Sequence, residues 1–400
     1  KGDVIPGDVV FKLYDTYGFP VDLTADIARE RNLTIDMQGF DAAMEVQKQQ
    51  ARSASRFEAQ EALNVGDATE TRFEGYDSLH SVAAVLALYR DGKPVDVLNT
   101  GDSGVVLLAN TPFYAESGGQ IGDKGVLLGT GVRFVVEDTR KQGNYHLHFG
   151  TVAEGSLARN VHVEAEVSDA QRRATMLNHS ATHLMHAALR QVLGEHVSQK
   201  GSLVNSNYLR FDFSHNKTVS DAEIEQIENL VNAQILANVD VQKRVMPIDD
   251  ARKLGAMALF GEKYGSEVRV VSMGSVEEGK TFSLELCGGT HVSRTGDIGL
   301  ISVVSENAVA AGVRRIEAMT GTAARRHLTA ESKKLHELAG LLKSTPTDAA
   351  ERLANLIEER RKFERDLSDA RKKRWRARGR WRFAALLLRH RRGQNGSEYW

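Results

Sequence analysis

The chain has 400 residues and a single cysteine, which lies four positions before a histidine in Cys287-Gly288-Gly289-Thr290-His291. Far upstream, His179 and His183 are also four apart. They fall within a stretch opened by Asp169 that carries Met176, Leu177, Leu184, Ala187, Ala188 and Val192 at helical spacing, with Gly194 as its stop. Residues four apart on a helix share one face, so both imidazoles project together. The glycines after Cys287 let a loop fold tightly enough to bring thiolate and imidazole onto one ion. Three His and one Cys make a borderline-soft set of four that suits tetrahedral zinc. A fold that satisfies this pattern must lay the loop that follows Cys287 on the face of the helix that carries His179. The alternative reading makes the histidines ordinary helix residues and Cys287 a small buried hydrophobe. His186 shares the helix face and is read as a packing or supporting residue, not a ligand. A four-ligand zinc is usually structural and a catalytic one keeps a position open; spacing does not choose between them.

With one cysteine no internal disulfide can form, and a cytoplasmic location is expected. Hydrophobic residues make up 41% and charged residues 26%, as in globular proteins, and no apolar run reaches the ~18 residues of a membrane span. The opening Lys1-Gly2-Asp3-Val4 has neither an initiator Met nor a signal pattern, as expected of a piece of a longer parent.

The texture of the chain predicts an α+β multidomain fold. Residues 1–62 read as helical, around a turn at Gly18-Phe19-Pro20 and including a run from Phe40 to Phe57. Residues 63–167 read as a small antiparallel β-barrel of short β-rich runs, interrupted by a glycine-rich loop over Thr111–Gly125. Residues 168–321 read as an α+β domain that would hold the zinc. Residues 322–372 read as a helical hairpin or coiled coil, with Leu328, Leu335, Leu338 and Leu342 in one arm, Leu353, Leu356, Phe363 and Leu367 in the other, and Pro346 opening the second arm.

Net charge is −1, yet residues 371–400 hold eleven Lys/Arg and one acid, leaving forty-one basic against fifty-two acidic residues elsewhere. A nucleic-acid partner therefore has to be argued from local patches. The tail at 373–400, which contains Trp375, Trp381 and Trp400, reads as atypical and disordered, either an artificial end or a basic arm for RNA.

Three further groups carry polar chemistry. Ser117-Gly118-Gly119-Gln120 places a carboxamide after two glycines that permit close backbone approach. Arg210, Asp212 and Ser214 fall on one face of a strand. Arg314 and Arg315 follow Gly312-Val313 and suit phosphate. The plain alternatives are a turn, a half-exposed strand and a salt-bridged helix start.

Several of these segments resemble the bacterial alanyl-tRNA synthetases: Phe11–Pro20, Phe113-Tyr114-Ala115-Glu116-Ser117-Gly118-Gly119-Gln120, Asn178–Leu184, Cys287–His291 and Gly312–Ala318. Order and spacing agree from residue 1 to about 372. The resemblance implies the end of a tRNA-recognition region, a whole editing domain and the start of a coiled coil, without the ATP-binding class II core or the C-terminal domain. The tail after Lys373 departs from the family.

The resemblance further implies hydrolysis of Ser or Gly esters on the 3′-terminal adenosine of alanine-accepting tRNA. A pocket made for alanine cannot strongly exclude glycine or, by hydroxyl alone, serine, so a second site is required. By motif, His179, His183, Cys287 and His291 would hold Zn²⁺. Gln120, with the backbone of Gly118 and Gly119, would lie against the substrate, and Asp212 joins them as a catalytic candidate. Ser202 would read the serine hydroxyl, while Arg314 and Arg315 would meet phosphate or ribose. The partner would be the tRNA acceptor end, with no membrane, and the coiled coil would offer a route to oligomers. Two rival readings are a stand-alone editing deacylase, which the long N-terminal match and the coiled coil oppose, and a non-catalytic tRNA-binding module with structural zinc.

Overall fold

A computed structural model describes residues 4–17, 21–31, 33–40, 70–257, 265–275, 281–310 and 312–394, together with residues 44, 63 and 65. The expected turn at Gly18-Phe19-Pro20 and most of the helical run from Phe40 to Phe57 lie outside the described residues. The described residues of this part include the helices α1 (Gly7–Tyr17) and α2 (Val21–Glu30).

The barrel is closed by six antiparallel strands: β1 (His80–Arg90), β2 (Ser103–Leu108), β3 (Gly125–Gly129), β4 (Val132–Gln142), β5 (Tyr145–Glu154) and β6 (His162–Val167). Their order is β6-β3-β4-β5-β2-β1, and β6 pairs back onto β1, so the barrel leaves no open edge between them. Alternation along each strand sends one set of side chains inward, and Val85, Leu88, Val106, Leu127, Phe134 and Val163 form the core. Gln142 and Tyr145 pair across a two-residue turn in which Gly143 takes φ +59°, a conformation that suits glycine in a tight hairpin. Strand β3 falls where the sequence reads as the end of the glycine-rich loop. Its apolar core is only Val126-Leu127-Leu128, too short to show a period.

Helix α3 (Asp169–Leu193) follows directly, as its apolar spacing predicts. It packs with α4 (Asp221–Ala237) on a four-stranded antiparallel sheet of β7 (Gln199–Val204), β8 (Leu209–Ser214), β12 (Ile301–Ala310) and β13 (Val313–Thr320), in the order β7-β8-β13-β12. Helix α4 begins at a capping box: the Glu223 amide donates to Ser220 Oγ and the Ser220 amide to Glu223 Oε2. A second sheet of three strands, β9 (Gln242–Pro247), β10 (Glu267–Ser275) and β11 (Thr281–Leu286), carries the cysteine loop at its end. The segment at Gly312 is a turn into strand β13, not a helix start.

Among the contacts that join the barrel to this α+β part, two lie at the edge of β7 and at the start of α3. The loop between β2 and β3 adds to the edge of β7, where the Ile121 amide donates to Val204 O and the Val204 amide to Gly119 O, at 3.1 and 2.7 Å. Arg172, on the first turns of α3, is fully enclosed. It pairs with Asp123 and donates to Gly75 O and Pro112 O at 2.7 and 2.8 Å.

After the short α5 (Ile248–Lys253) come α6 (Gly321–Leu341) and α7 (Ala349–Gln394). The expected coiled coil is present as helices but not as a packed hairpin. The two do not pack along their lengths, and Leu335 and Phe363 are 45% and 68% exposed. The heptad rhythm is there, but among the described residues the seam meets no opposing helix. Pro346 does not open α7; Asp348 does, its carbonyl accepting from the Arg352 amide after a local turn with Thr345. Disorder from 373 is not what is found, because α7 runs on to Gln394 through Arg, Ala and Leu, all good helix formers. Residues 395–400 lie outside the described residues. No described helix is long and apolar enough to cross a membrane.

Candidate metal centre and adjoining cavity

Helix α3 presents His179 and His183 toward the loop that leaves β11, and the ligand atoms of His179, His183, Cys287 and His291 all lie within 4.8 Å of one another. Cys287 Sγ is 3.4 Å from His179 Nε2 and 3.3 Å from His291 Nε2. Ligands on a tetrahedral zinc at ordinary Zn–N and Zn–S lengths sit roughly 3.3–3.6 Å apart. The four residues therefore form a cluster suited to a metal ion.

The imidazoles are aimed from behind. Gln120 Oε1 accepts from His179 Nδ1 at 2.7 Å, and Glu285 Oε2 accepts from His183 Nδ1 at 2.6 Å. Each bond places the ring proton on Nδ1 and turns the Nε2 lone pair toward the cluster. His183 Nε2 is buried and has no hydrogen-bond partner among the described residues, as a ligand atom would. Gly289 passes so close to His179 that a Cβ there would come within 2.1 Å of the ring, so only glycine fits.

Electrostatics agree with a cation site. Burial alone would push the Cys287 thiol up, but the imidazoles of His179, His291 and His183 outweigh it and hold the group well below its usual value, as thiolate. Burial likewise opposes ionisation of Glu285, yet His183 and His186 bring it to about 2. At His183 burial disfavours the proton, but the negative charges of Glu285 and Cys287 prevail and raise it to about 10. The negative surroundings thus favour a cation at His183 Nε2, a proton or a metal ion, and a metal ion there would leave the ring its single proton on Nδ1. For His291 burial dominates and lowers the ring to about 3.

The cysteine loop is braced on its outer side. Arg269, on β10, donates from Nη1 to Cys287 O and Gly289 O at 2.9 and 2.8 Å, and its guanidinium lies 4.2 Å over the Tyr76 ring. Tyr76 donates to Gly288 O at 2.5 Å, and Lys243 Nζ to His291 O at 3.2 Å. Beside the cluster opens a cavity of about 250 Å³ lined by Tyr114, Gly118, Thr182, His186, Ser202 and Phe211, among others.

The candidates from sequence separate into two groups. The four proposed ligands converge, and Gly118 and Ser202 face the cavity. Gly119, at φ +86°, lies against Ser202. Gln120 is close but does not face the cavity. Its carboxamide is fully buried and bonded at both ends, with Oε1 also accepting from the Thr290 amide and Nε2 donating to Thr290 Oγ1, both at 2.9 Å. Expected against the substrate, it is placed behind His179 of the cluster. Asp212, Arg314 and Arg315 are not at the cluster. Asp212 accepts from Arg315 Nε and Nη2 at 2.7 and 2.8 Å, and Arg314 forks onto Glu306 at 2.5 Å. Each guanidinium is paired with a carboxylate on a neighbouring strand, away from the cluster. Glu285, Arg269 and Arg172 went unread. For Glu285 a signal existed: a period of two back from Cys287 passes through Glu285 and Ser283, which puts a carboxylate on the strand face that bears the thiol.

A family model described as tRNA synthetases class II (A) matches residues 1–171, and one described as Threonyl and Alanyl tRNA synthetase second additional domain matches residues 268–317. The second match contains Cys287 and His291. Among curated relatives, the alanine–tRNA ligase of Pseudomonas syringae pv. tomato is 56% identical over 367 residues, covering 92% of this chain and 41% of the relative. Those of Pseudomonas fluorescens and Pseudomonas savastanoi pv. phaseolicola are 55% identical with the same coverage. The chain therefore spans about two-fifths of the length of these relatives.

Proposed function

The chain belongs to the alanyl-tRNA synthetase family, and on that footing we propose that it clears serine or glycine wrongly attached to alanine-accepting tRNA, hydrolysing the ester at the 3′-terminal adenosine beside a bound zinc ion. The observation that carries the reading is the convergence of His179, His183, Cys287 and His291 next to a cavity of aminoacyl size. A zinc ion held by these four supplies fixed positive charge beside the ester. The protein's own groups do the rest. Gln120 and Glu285 fix the ring orientations of His179 and His183. Arg269 and Tyr76 hold the loop. Gly118 and Ser202 line the space for the aminoacyl group. The same reading divides the chain near residues 62, 167, 321 and 372.

Purified chain should contain one zinc per molecule by elemental analysis, and Cys287→Ala should lower that content together with Ser-tRNA hydrolysis. A parent chain without metal, or a variant with unchanged content, removes the basis of the proposal. The alanine-attaching step is not part of it. The chain should give no alanine-dependent pyrophosphate exchange with ATP, and exchange above background would place a ligase centre within it.

One observation favours a second reading. Four protein ligands close the coordination of zinc, as in structural sites. In that case the chain binds tRNA without cleaving it, and full zinc content with Ser-tRNA stable at the buffer rate would select this alternative.

A further inference from the structure

His186 lies one turn beyond His183 on α3, three residues or about 4.5 Å along the axis. It is 4% exposed, lines the cavity, and packs its ring against Phe211 with centroids 5.1 Å apart. Its Nδ1 donates to Glu285 Oε1 at 2.9 Å, while the other oxygen of the same carboxylate receives His183. One carboxylate that takes two ring N–H groups fixes both tautomers. The His186 Nε2 atom is then a bare acceptor. It is buried and meets no hydrogen-bond partner among the described residues. A buried acceptor at the wall of a cavity asks for a donor from whatever fills the cavity.

We propose that His186 is a specificity-determining residue, whose Nε2 accepts the side-chain hydroxyl of a seryl ester seated with its carbonyl toward the His179–Cys287 cluster. This rests on the editing reading and adds the group that tells serine from glycine. The spacing suits it. The hydroxyl of serine stands two bonds from the α-carbon, so a carbonyl near His183 leaves the hydroxyl within reach of the next turn of the same helix. Glu285 thereby serves both ends of the site, aiming one imidazole at the metal position and the other at the side chain.

Two substitutions separate the two ring nitrogens. In His186→Asn the carboxamide can still donate to Glu285 but has nothing at the Nε2 position. His186→Gln reaches the Nε2 position with an acceptor. Zinc content is measured alongside deacylation of Ser-tRNA and Gly-tRNA. We expect full zinc in both variants, Ser-tRNA hydrolysis about tenfold slower in His186→Asn with Gly-tRNA hydrolysis unchanged, and partial recovery of the serine rate in His186→Gln. Equal loss on both esters would put His186 at the α-ammonium or in a purely structural role and overturn the proposal, as would no loss on either. Binding of seryl and glycyl amides of 3′-amino-3′-deoxyadenosine, read by calorimetry, keeps the test independent of catalysis. If the parent cleaves neither ester but prefers the seryl amide, and His186→Asn erases that preference, the deacylase reading fails and this one stands. No preference in the parent overturns this one.

Discussion

In a Gln120→Ala variant the affinity of the cluster for a metal ion should fall by about 10- to 100-fold, the usual cost of removing a group that orients a histidine at a metal site. The loss would come from three bonds at once. His179 Nδ1 and the Thr290 amide would each lose their acceptor in a fully buried place, and Thr290 Oγ1 its donor. Each buried group left unpaired costs about 1–3 kcal/mol, so the loop and the ring would both shift. Chelator competition gives the affinity directly. Gln120→Glu keeps the acceptor for His179 and should hold metal close to the parent level, which separates orientation from simple loss of packing. If Gln120→Ala binds metal as the parent does but no longer cleaves Ser-tRNA, the side chain acts on substrate, as its motif first suggested, and the buried geometry misleads.

The second large effect is expected at the junction of barrel and α3. Arg172→Met should destabilise that junction by about 3–5 kcal/mol, because it leaves the Asp123 carboxylate buried without its counter-charge and strips two carbonyls of a donor. The three tryptophans all lie beyond residue 374, so their fluorescence would not report it. Hydrogen exchange at the Tyr114 amide, which donates to Asp123 at 2.6 Å, reads the junction locally. Exchange as slow as in the parent would show that the pair is not what joins the two parts. Because the loop between β2 and β3 runs from Pro112 through Gln120 to Asp123, loosening it should also weaken metal binding, and the two variants should not be additive.

How much of this could be read from the chain depends on whether the partners lie nearby in sequence. Helix α3 was legible because its apolar spacing, its polar opening and Gly194 agree, and the shared face of His179 and His183 follows from helical geometry alone. The alternation of the barrel strands is local in the same way. Strands β7 and β13 were missed because glycine, serine and charged residues interrupt their alternation. Those charges are paired across strands, Arg315 with Asp212 and Arg314 with Glu306, which a single strand does not reveal. Gln120 falls beside the cluster, as expected, but with its carboxamide bonded to His179 and Thr290. Whether a carboxamide faces a cavity or backs a ligand depends on Thr290, a hundred and seventy residues away. The expected hairpin failed for a related reason: a heptad seam states what a helix can pack against, not which helix will do so.

The braces on the cysteine loop have a consequence for the metal-free protein. The carbonyls of Cys287, Gly288, Gly289 and His291 all point outward to Arg269, Tyr76 or Lys243, so the loop owes its shape to the surrounding scaffold. In zinc fingers the ion organises the chain, and chelation unfolds it. Here these bonds hold the loop without calling on the ion, so little reorganisation should oppose loading and most of the ion's intrinsic affinity should be available for binding. Stripping the ion should leave the thermal transition of the α+β part nearly in place. The apo chain should then refill on adding zinc without passing through an unfolded state, on the timescale of ion exchange and not of folding.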